Sequence, residues 1–235
     1  MNAVWTAPSS WPALPTDEAH VWLAHLPAAR TAMAHLTTLL SRDEAQRAQQ
    51  FRFDQHRERW QFTRAILRSL LGRYLDVTPQ KITFALGEHG KPRLERPALR
   101  DFHFNTSHSG DYAAFAFTRV ADIGVDIEQV REEMTRREEI ARRYFAPGEW
   151  KHLESLPERE RARAFFDLWT RKEAFVKARG DGLFSGLDQF EVSIANTSLL
   201  RTATGGTIEW SMSALPAITV AMAARRMSHF KSSYA

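Results

Sequence analysis

The amino-acid sequence predicts an α+β protein built from two similar halves, each a long helix packed on a small, mostly antiparallel sheet. Two long segments with helical spacing of apolar residues are each followed by a group of short strand-like runs. The pattern also repeats, because Phe62-Thr63-Arg64 and Trp169-Thr170-Arg171 each precede a helix end, a glycine and several strands. The repeat predicts an N-terminal half at residues 1–118 and a C-terminal half at residues 119–235.

Composition indicates an ordinary globular protein with a sizeable core. The chain has 235 residues, of which 43% are hydrophobic and 26% are charged, and its formal net charge is +4. It contains no cysteine, which excludes disulfides, thiolate metal sites and cysteine nucleophiles. Residues 1–15 lack a signal-peptide pattern, and no apolar run approaches the roughly 20 residues that span a bilayer. We therefore expect a cytoplasmic protein that does not contact membranes.

The N-terminal half is predicted to start with a loose arm at residues 1–20 and to be centred on one amphipathic helix. Ser41, with Glu44 three residues later, predicts a capping box that opens a first helix. Apolar residues at helical spacing predict a long helix over Arg57–Tyr74, which ends near Asp76. The strands of this half are expected at Val21–Leu26, Lys81–Phe84, Phe102–Asn105 and Tyr112–Phe117.

The C-terminal half is predicted to begin with a strand and to contain the second long helix. The run Asp122–Glu128 is typical of a strand, and Glu158–Ala178 is typical of a helix that Gly180 stops. The remaining elements are expected as helices over Arg131–Arg143 and from Pro147, strands at Phe190–Ile194, Thr207–Met212 and Ile218–Ala223, and a frayed end at Ser228–Ala235.

Two acids on the first strand of the C-terminal half are candidate metal ligands. Asp126 and Glu128 are two positions apart, so a strand places both carboxylates on one face and turns Ile127 toward the core. Carboxylate oxygens on one face can hold a hard cation such as Mg²⁺. The alternative is an exposed strand edge that carries two solvated acids, and the spacing alone favours that alternative.

Glu173 and Lys177 lie four residues apart on the second long helix, so their side chains are neighbours. An ordinary surface ion pair explains that spacing equally well and would contribute little to stability. However, Glu173 lies among Trp169, Phe175 and Val176, in a segment more apolar than most exposed helices.

The segment Asn105–Asp111 follows a predicted strand and is rich in small polar residues. Backbone amides and hydroxyls there could bind a phosphate, with His108 as a further donor. Lys91, between Gly90 and Pro92, could add a cation, as could the arginines of the first long helix. A polar turn is the simpler interpretation. A Ser–His nucleophile pair is disfavoured, because adjacent Ser107 and His108 point in opposite directions in an extended chain.

Taken together, these segments resemble a known family, the Sfp-type 4′-phosphopantetheinyl transferases. The matching motifs occur in the family's order: Gly90-Lys91-Pro92, Phe104-Asn105-Thr106-Ser107-His108-Ser109, Gly124-Val125-Asp126-Ile127-Glu128, Phe145-Ala146-Pro147-Gly148-Glu149-Trp150 and Trp169-Thr170-Arg171-Lys172-Glu173-Ala174-Phe175-Val176-Lys177. The resemblance implies a monomer whose halves are related by a pseudo-twofold axis, with coenzyme A bound in the cleft between them.

The resemblance also implies roles for individual residues. Asp126, Glu128 and Glu173 are expected to coordinate Mg²⁺ with the pyrophosphate of coenzyme A. The residues expected to bind the rest of the cofactor are Arg64, Lys91, Pro92, Ser107, His108 and Lys177.

The implied reaction transfers the 4′-phosphopantetheine arm to a serine of an apo acyl or peptidyl carrier protein and releases 3′,5′-ADP. Glu173 is the implied general base, and Lys177 stabilises the leaving phosphate. A carrier that is acidic around its serine would be attracted by the basic surface.

The residues leave two further classes of protein open. The segment Arg42–Arg73 carries eight arginines against four acids, so a basic nucleic-acid-binding protein is one alternative, although no recognition motif accompanies it. A Mg²⁺-dependent phosphodiesterase or nuclease is the other, because Asp126, Glu128 and Glu173 suit that chemistry as well. The family resemblance favours the transferase and predicts no nucleic-acid partner.

Overall fold

The computed structural model confirms the α+β class. It describes residues 9–87, 89–119, 121–133, 136–180, 186–192, 199–201, 207–215, 218–225 and 231–234. Helices and sheets form layers, with one sheet packed against the other and a long helix on the outer face of each. Within the described residues, no helix is long and apolar enough to cross a membrane.

The first sheet contains three antiparallel strands and one parallel edge strand. The antiparallel strands are β1 (Glu18–His25), β4 (His103–Ser109) and β5 (Tyr112–Thr118), and β5 lies between the other two. β5 is an almost continuous apolar run, and its residues Ala113–Thr118 are all buried. The parallel edge strand is β10 (Lys231–Tyr234), which pairs with β1.

A long helix covers the outer face of this sheet. This helix is α3 (Asp54–Leu75), and two short helices precede it, α1 (Met33–Thr37) and α2 (Arg42–Gln49). A hairpin follows it, formed by β2 (Thr83–Leu86) and β3 (Pro92–Arg96). The capping box at Ser41 and Glu44 is confirmed. Leu67 and Leu71 of α3 pack against Phe115 and Phe117 of β5, which fixes the helix on the sheet.

The second sheet has the strand order β6-β9-β8-β7 and supports the other long helix. Its strands are β6 (Ile123–Gln129), β7 (Leu199–Arg201), β8 (Thr207–Leu215) and β9 (Ile218–Arg225). The helices that follow β6 in the chain are α4 (Arg137–Tyr144), α5 (Pro147–Ser155) and α6 (Glu158–Arg179). A Cβ atom at Gly124 would lie 2.0 Å from the carbonyl oxygen of Ala174, so glycine lets the α6 backbone approach β6 closely.

The two sheets share an apolar core. Val21 and Ala116 of the first sheet pack in one cluster with Val125, Ile127 and Val220 of the second. The prediction that Ile127 faces the core is therefore confirmed. The boundary between residues 118 and 119 and the pseudo-twofold axis stay predictions.

Several expected elements differ from the observed ones. Residues 105–109 belong to β4 rather than to a loop, and the turn to β5 comes at Gly110, where φ is +57°. Small polar residues suggested a loop, but their side chains are used by contacts with β6. The hairpin strand Pro92–Arg96 was not expected, and α4 covers only the second half of the predicted helix Arg131–Arg143.

The chain ends also differ from expectation. Part of the predicted loose arm is ordered by packing, because Trp11 stacks on Trp22 at a ring distance of 4.8 Å and Glu18–His20 already belong to β1. Residues 231–234 form β10 instead of a frayed end, and backbone pairing with β1 accounts for the difference. In the predicted strand Phe190–Ile194, residues 190–192 are not strand, and residues 193 and 194 lie outside the described residues.

Candidate active site

Side chains, rather than backbone hydrogen bonds, join β4 to β6 where the two sheets meet. Asn105, Ser107 and Ser109 are alternate residues of β4 and therefore share one face. The Val125 amide donates to Asn105 Oδ1 at 2.9 Å, Ser107 Oγ donates to Asp126 Oδ1 at 2.8 Å, and Ser109 Oγ donates to Glu128 Oε2 at 2.7 Å. The two acids predicted to share one face of β6 are thus held by hydrogen bonds from side chains of β4.

Helix α6 brings Glu173 and Lys177 to the same place. Lys177 Nζ donates to Asp126 Oδ1 at 2.6 Å and to Ser107 Oγ at 2.9 Å. Asp126 and Glu173 are each only 3% exposed. The surface interpretations of these acids are therefore wrong, since both carboxylates lie inside the protein. Glu173 reaches this position because Gly124 lets α6 lie directly on β6.

The three acids influence one another electrostatically. Burial, and then repulsion from Asp126, raise the pKa of Glu173 to about 7. The same two causes raise the pKa of Glu128, although the hydrogen bond from Ser109 opposes the rise. Within the described residues, Asp126 Oδ2 and Glu173 Oε1 are buried without any hydrogen-bond partner. Two unpaired carboxylate oxygens beside a third acid form an environment that a cation would stabilise.

The donor set fits a hard divalent cation, although the acidic side chains do not converge on a single point. In the part of the chain that the structure describes, no group of three or more His, Asp or Glu side chains has the arrangement of a formed metal site. Lys177 is bound to one oxygen of Asp126, which leaves Oδ2 of that residue and Oε1 of Glu173 as the unpaired donors.

A cavity of about 200 Å³ lies beside the acids, between the hairpin tip, β4 and α6. Its walls include Lys91, Pro92, Glu173 and Lys177, so four predicted site residues meet here. Lys91 Nζ donates to the carbonyl oxygens of Ile123 and Ala178 at 3.1 and 3.3 Å, and burial lowers its pKa. The residue thereby links the hairpin to the second sheet and its helix.

A larger cavity of about 630 Å³ is bordered by Glu128. Ile140, Phe165, Phe166 and Trp169 give it apolar walls, while Arg131 and three acids form its polar part. Both cavities therefore combine charged and apolar walls, and Glu128 belongs to the wall of the larger one.

Other predicted cofactor residues are placed differently. Arg64 is in an ion pair with the buried Glu44, and its guanidinium lies 3.9 Å from the ring centre of Phe84. Arg68, proposed with it as a phosphate ligand, is buried and donates to Glu44 and to two backbone carbonyls, so it serves the core. Ser107 is buried between Asp126 and Lys177. His108 is exposed and points away from Ser107 along the strand, but it remains within electrostatic reach of the site, since desolvation and then the positive charge of Lys177 lower the pKa of its imidazole.

Sequence reasoning missed two parts of this region. Ser109 received no role, although strand spacing from Ser107 would have placed it beside Glu128. The pair Lys172–Glu149 was also missed; it joins two fully buried charges at 2.7 Å behind the site. Lys172 precedes Glu173 in a helix with many charged residues, and the sequence offers no signal that this one is buried.

Comparison with known proteins places the chain in a family. A family model described as 4′-phosphopantetheinyl transferase, N-terminal, matches residues 26–119, and one described as 4′-phosphopantetheinyl transferase superfamily matches residues 122–222. The 4′-phosphopantetheinyl transferase HetI of Nostoc sp. is 38% identical over 84% of this chain and 82% of its own length. A putative 4′-phosphopantetheinyl transferase of Synechocystis sp. is 36% identical, covering 83% and 79%.

The 4′-phosphopantetheinyl transferase Sfp of Bacillus subtilis is 32% identical over 67% of each chain. The superfamily model covers the strand and the helix that carry Asp126, Glu128, Glu173 and Lys177. The protein therefore belongs to the 4′-phosphopantetheinyl transferase family.

Proposed function

We propose that this protein transfers the 4′-phosphopantetheine arm of coenzyme A to a serine of an apo acyl or peptidyl carrier protein. Mg²⁺ is the metal, and 3′,5′-ADP is released. The observation that carries the proposal is the pair of buried, unpartnered oxygens on Asp126 and Glu173, which come from separate elements and lie beside the ammonium of Lys177. Family membership favours transfer over the nuclease and nucleic-acid-binding alternatives.

Asp126, Glu128 and Glu173 would hold the metal. Their oxygens are hard donors of the kind that Mg²⁺ prefers, and two of these oxygens lack any other partner among the described residues. When bound, Mg²⁺ neutralises charge on the pyrophosphate and on the developing transition state.

Glu173 is suited to the role of general base. In the metal-free protein, burial and Asp126 raise the pKa of its carboxyl to about 7. A bound cation would lower that pKa, so the carboxylate would be ionised and able to accept a proton near neutral pH. The acceptor serine of the carrier must lose its proton as it bonds to phosphorus, and Glu173 borders the cavity where that reaction would occur.

Lys177 supplies a fixed positive charge at the wall of the same cavity. Its ammonium is oriented by Asp126 and Ser107, which restricts it to one place at the cavity wall. Charge that builds up on the leaving phosphate during transfer is stabilised most by a cation that is already in position.

The two cavities suit the two ends of coenzyme A. The smaller one carries Lys91 and Lys177, which favours the phosphate-rich nucleotide. The larger one has apolar walls from Ile140, Phe166 and Trp169, which favours the uncharged arm. Glu128 borders the larger cavity and Glu173 the smaller one, so the pyrophosphate that joins the two ends would lie near these acids.

The test is the intact mass of an apo carrier protein after incubation with this protein, coenzyme A and Mg²⁺. The proposal predicts that the carrier gains one phosphopantetheine on its serine, and that EDTA prevents the gain. Glu173→Gln is the matched variant and should give a folded protein without measurable transfer. If apo acyl and peptidyl carriers all stay unmodified with the wild type, the proposal is wrong.

A further inference from the structure

Ser109 occupies a fixed position at the end of β4. It is 7% exposed and pairs with Tyr112 across the turn to β5. The turn itself lies tightly against β6, since a Cβ atom at Gly110 would come within 1.9 Å of Gln129 Oε1. The strand pairing before the turn and the close contact of Gly110 with β6 therefore fix the backbone of Ser109, so its hydroxyl faces β6.

The direction of this hydroxyl is also determined. The backbone N–H of Gln129 donates to Ser109 Oγ at 3.1 Å, and Ser109 Oγ donates to Glu128 Oε2 at 2.7 Å. A serine hydroxyl has a single proton to donate, so the whole donor capacity of Ser109 is directed at the carboxylate. The hydrogen bond engages Oε2 and leaves the other oxygen of Glu128 for a different partner.

Glu128 needs such a restraint. Asp126 lies two residues away on the same face of β6, and the two carboxylates repel each other. Glu128 also borders the cavity of about 630 Å³, which leaves room for its flexible side chain to turn away from Asp126. The bond from Ser109 opposes that movement.

Ser107 differs from Ser109 in what it touches. Its hydroxyl lies between Asp126 and Lys177 and contacts two charged groups at once. Ser109 contacts a single charged side chain, so removing its hydroxyl changes the restraint on Glu128 without disturbing the lysine.

We infer that Ser109 is a positioning residue that holds the Glu128 carboxylate in place for a divalent cation shared with Asp126 and Glu173. The inference rests on the proposed function, because it assigns Ser109 a part in the metal site of that function. Hydrogen bonds to ligating carboxylates fix their orientation, and losing one typically weakens metal binding about 10- to 100-fold.

The experiment measures Mn²⁺ binding by electron paramagnetic resonance in the presence of coenzyme A and without a carrier, so that no turnover occurs. Ser109→Ala is expected to raise the Mn²⁺ dissociation constant about 10-fold. Ser109→Thr keeps the hydroxyl and should bind more tightly than Ser109→Ala. The matched control is Thr63→Val, which removes a hydroxyl that donates to a carbonyl on α3 at 2.8 Å and should bind Mn²⁺ like the wild type.

A double-variant cycle shows whether Ser109 acts through Glu128. In a Glu128→Gln background, Ser109→Ala should change the Mn²⁺ dissociation constant less than about 2-fold, because no carboxylate is left to orient. The inference is overturned if Ser109→Ala raises the Mn²⁺ dissociation constant by the same factor in both backgrounds. It is also overturned if Ser109→Ala binds Mn²⁺ as tightly as the wild type does, or if the wild type binds no Mn²⁺. Thermal melts confirm that each variant is folded.

The result separates this inference from the proposed function. If the wild type modifies a carrier but Ser109→Ala binds Mn²⁺ normally, the role of Ser109 is wrong and the transfer activity stands. If Mn²⁺ binding depends on Ser109 but no carrier is modified, the transfer activity is wrong and the role of Ser109 in the metal site stands.

Discussion

Neutralising Glu173 should stabilise the metal-free protein while it abolishes transfer. The carboxyl is 3% exposed, and its pKa rises from the ordinary value of 4.5 to about 7 on folding. Between these two values the folded protein binds more protons than the unfolded chain, so stability falls as the pH rises. The loss of stability caused by the ionised Glu173 carboxylate is absent below pH 4.5 and complete above about pH 7. A pKa difference of about 2.5 corresponds to about 3 kcal/mol.

The assay is urea unfolding of the wild type and Glu173→Gln in EDTA, at pH 4 and at pH 8. The free energy of unfolding of the variant relative to that of the wild type should rise by about 3 kcal/mol between the two pH values. Comparing two pH values cancels any constant effect of glutamine. Adding Mg²⁺ at pH 8 should stabilise the wild type and leave the variant unchanged, because binding to the folded state adds stability.

The matched control is Glu160→Gln, which changes an exposed acid near the start of the same helix and should alter the free energy of unfolding by no more than about 0.5 kcal/mol at either pH. A relative stability of Glu173→Gln that is the same at pH 4 and pH 8 would refute the reasoning. It would mean that burial of the ionised Glu173 carboxylate does not lower the free energy of unfolding of the metal-free protein.

Three further substitutions test the structure around the site. Lys172→Met leaves the carboxylate of Glu149 buried without its cation, so the free energy of unfolding should fall by about 3–5 kcal/mol in urea melts; an unchanged value contradicts the buried pair. Gly124→Ala pushes α6 away from β6 and should cost about 1–3 kcal/mol while abolishing transfer; full activity would contradict the close approach. Lys177→Met should lower the single-turnover transfer rate about 100-fold or more with a melting temperature near that of the wild type, and a rate within about 3-fold would remove Lys177 from the mechanism.

Periodicity in the sequence located the elements whose own residues determine them. The helix α6 was predicted to within a residue at its ends, because it has a continuous pattern and a glycine stop with φ of +79° at Gly180. The run Tyr112–Phe117 was recognised as a buried strand because it is apolar throughout. β10 was missed, because its pairing with β1 joins distant parts of the chain and no local pattern encodes it.

The candidate site was predictable only in part from the residues themselves. Strand alternation placed Asp126 and Glu128 on one face, and the structure confirms this. Asp126 is buried and Glu128 is half-buried because β4 and α6 meet at β6, which is a tertiary feature, so spacing alone wrongly favoured solvated acids. Arg64 was assigned by the resemblance to the family, and sequence spacing could not reveal that its guanidinium pairs with Glu44.

The central claim is that acids from β6 and α6 share a single cation where the two sheets meet. The most direct measurement is anomalous diffraction from crystals grown with Mn²⁺ and coenzyme A. The account predicts one strong peak within roughly 2.0–2.5 Å of oxygens from Asp126, Glu128 and Glu173. A peak bound elsewhere, or one that Glu173 does not touch, would contradict it.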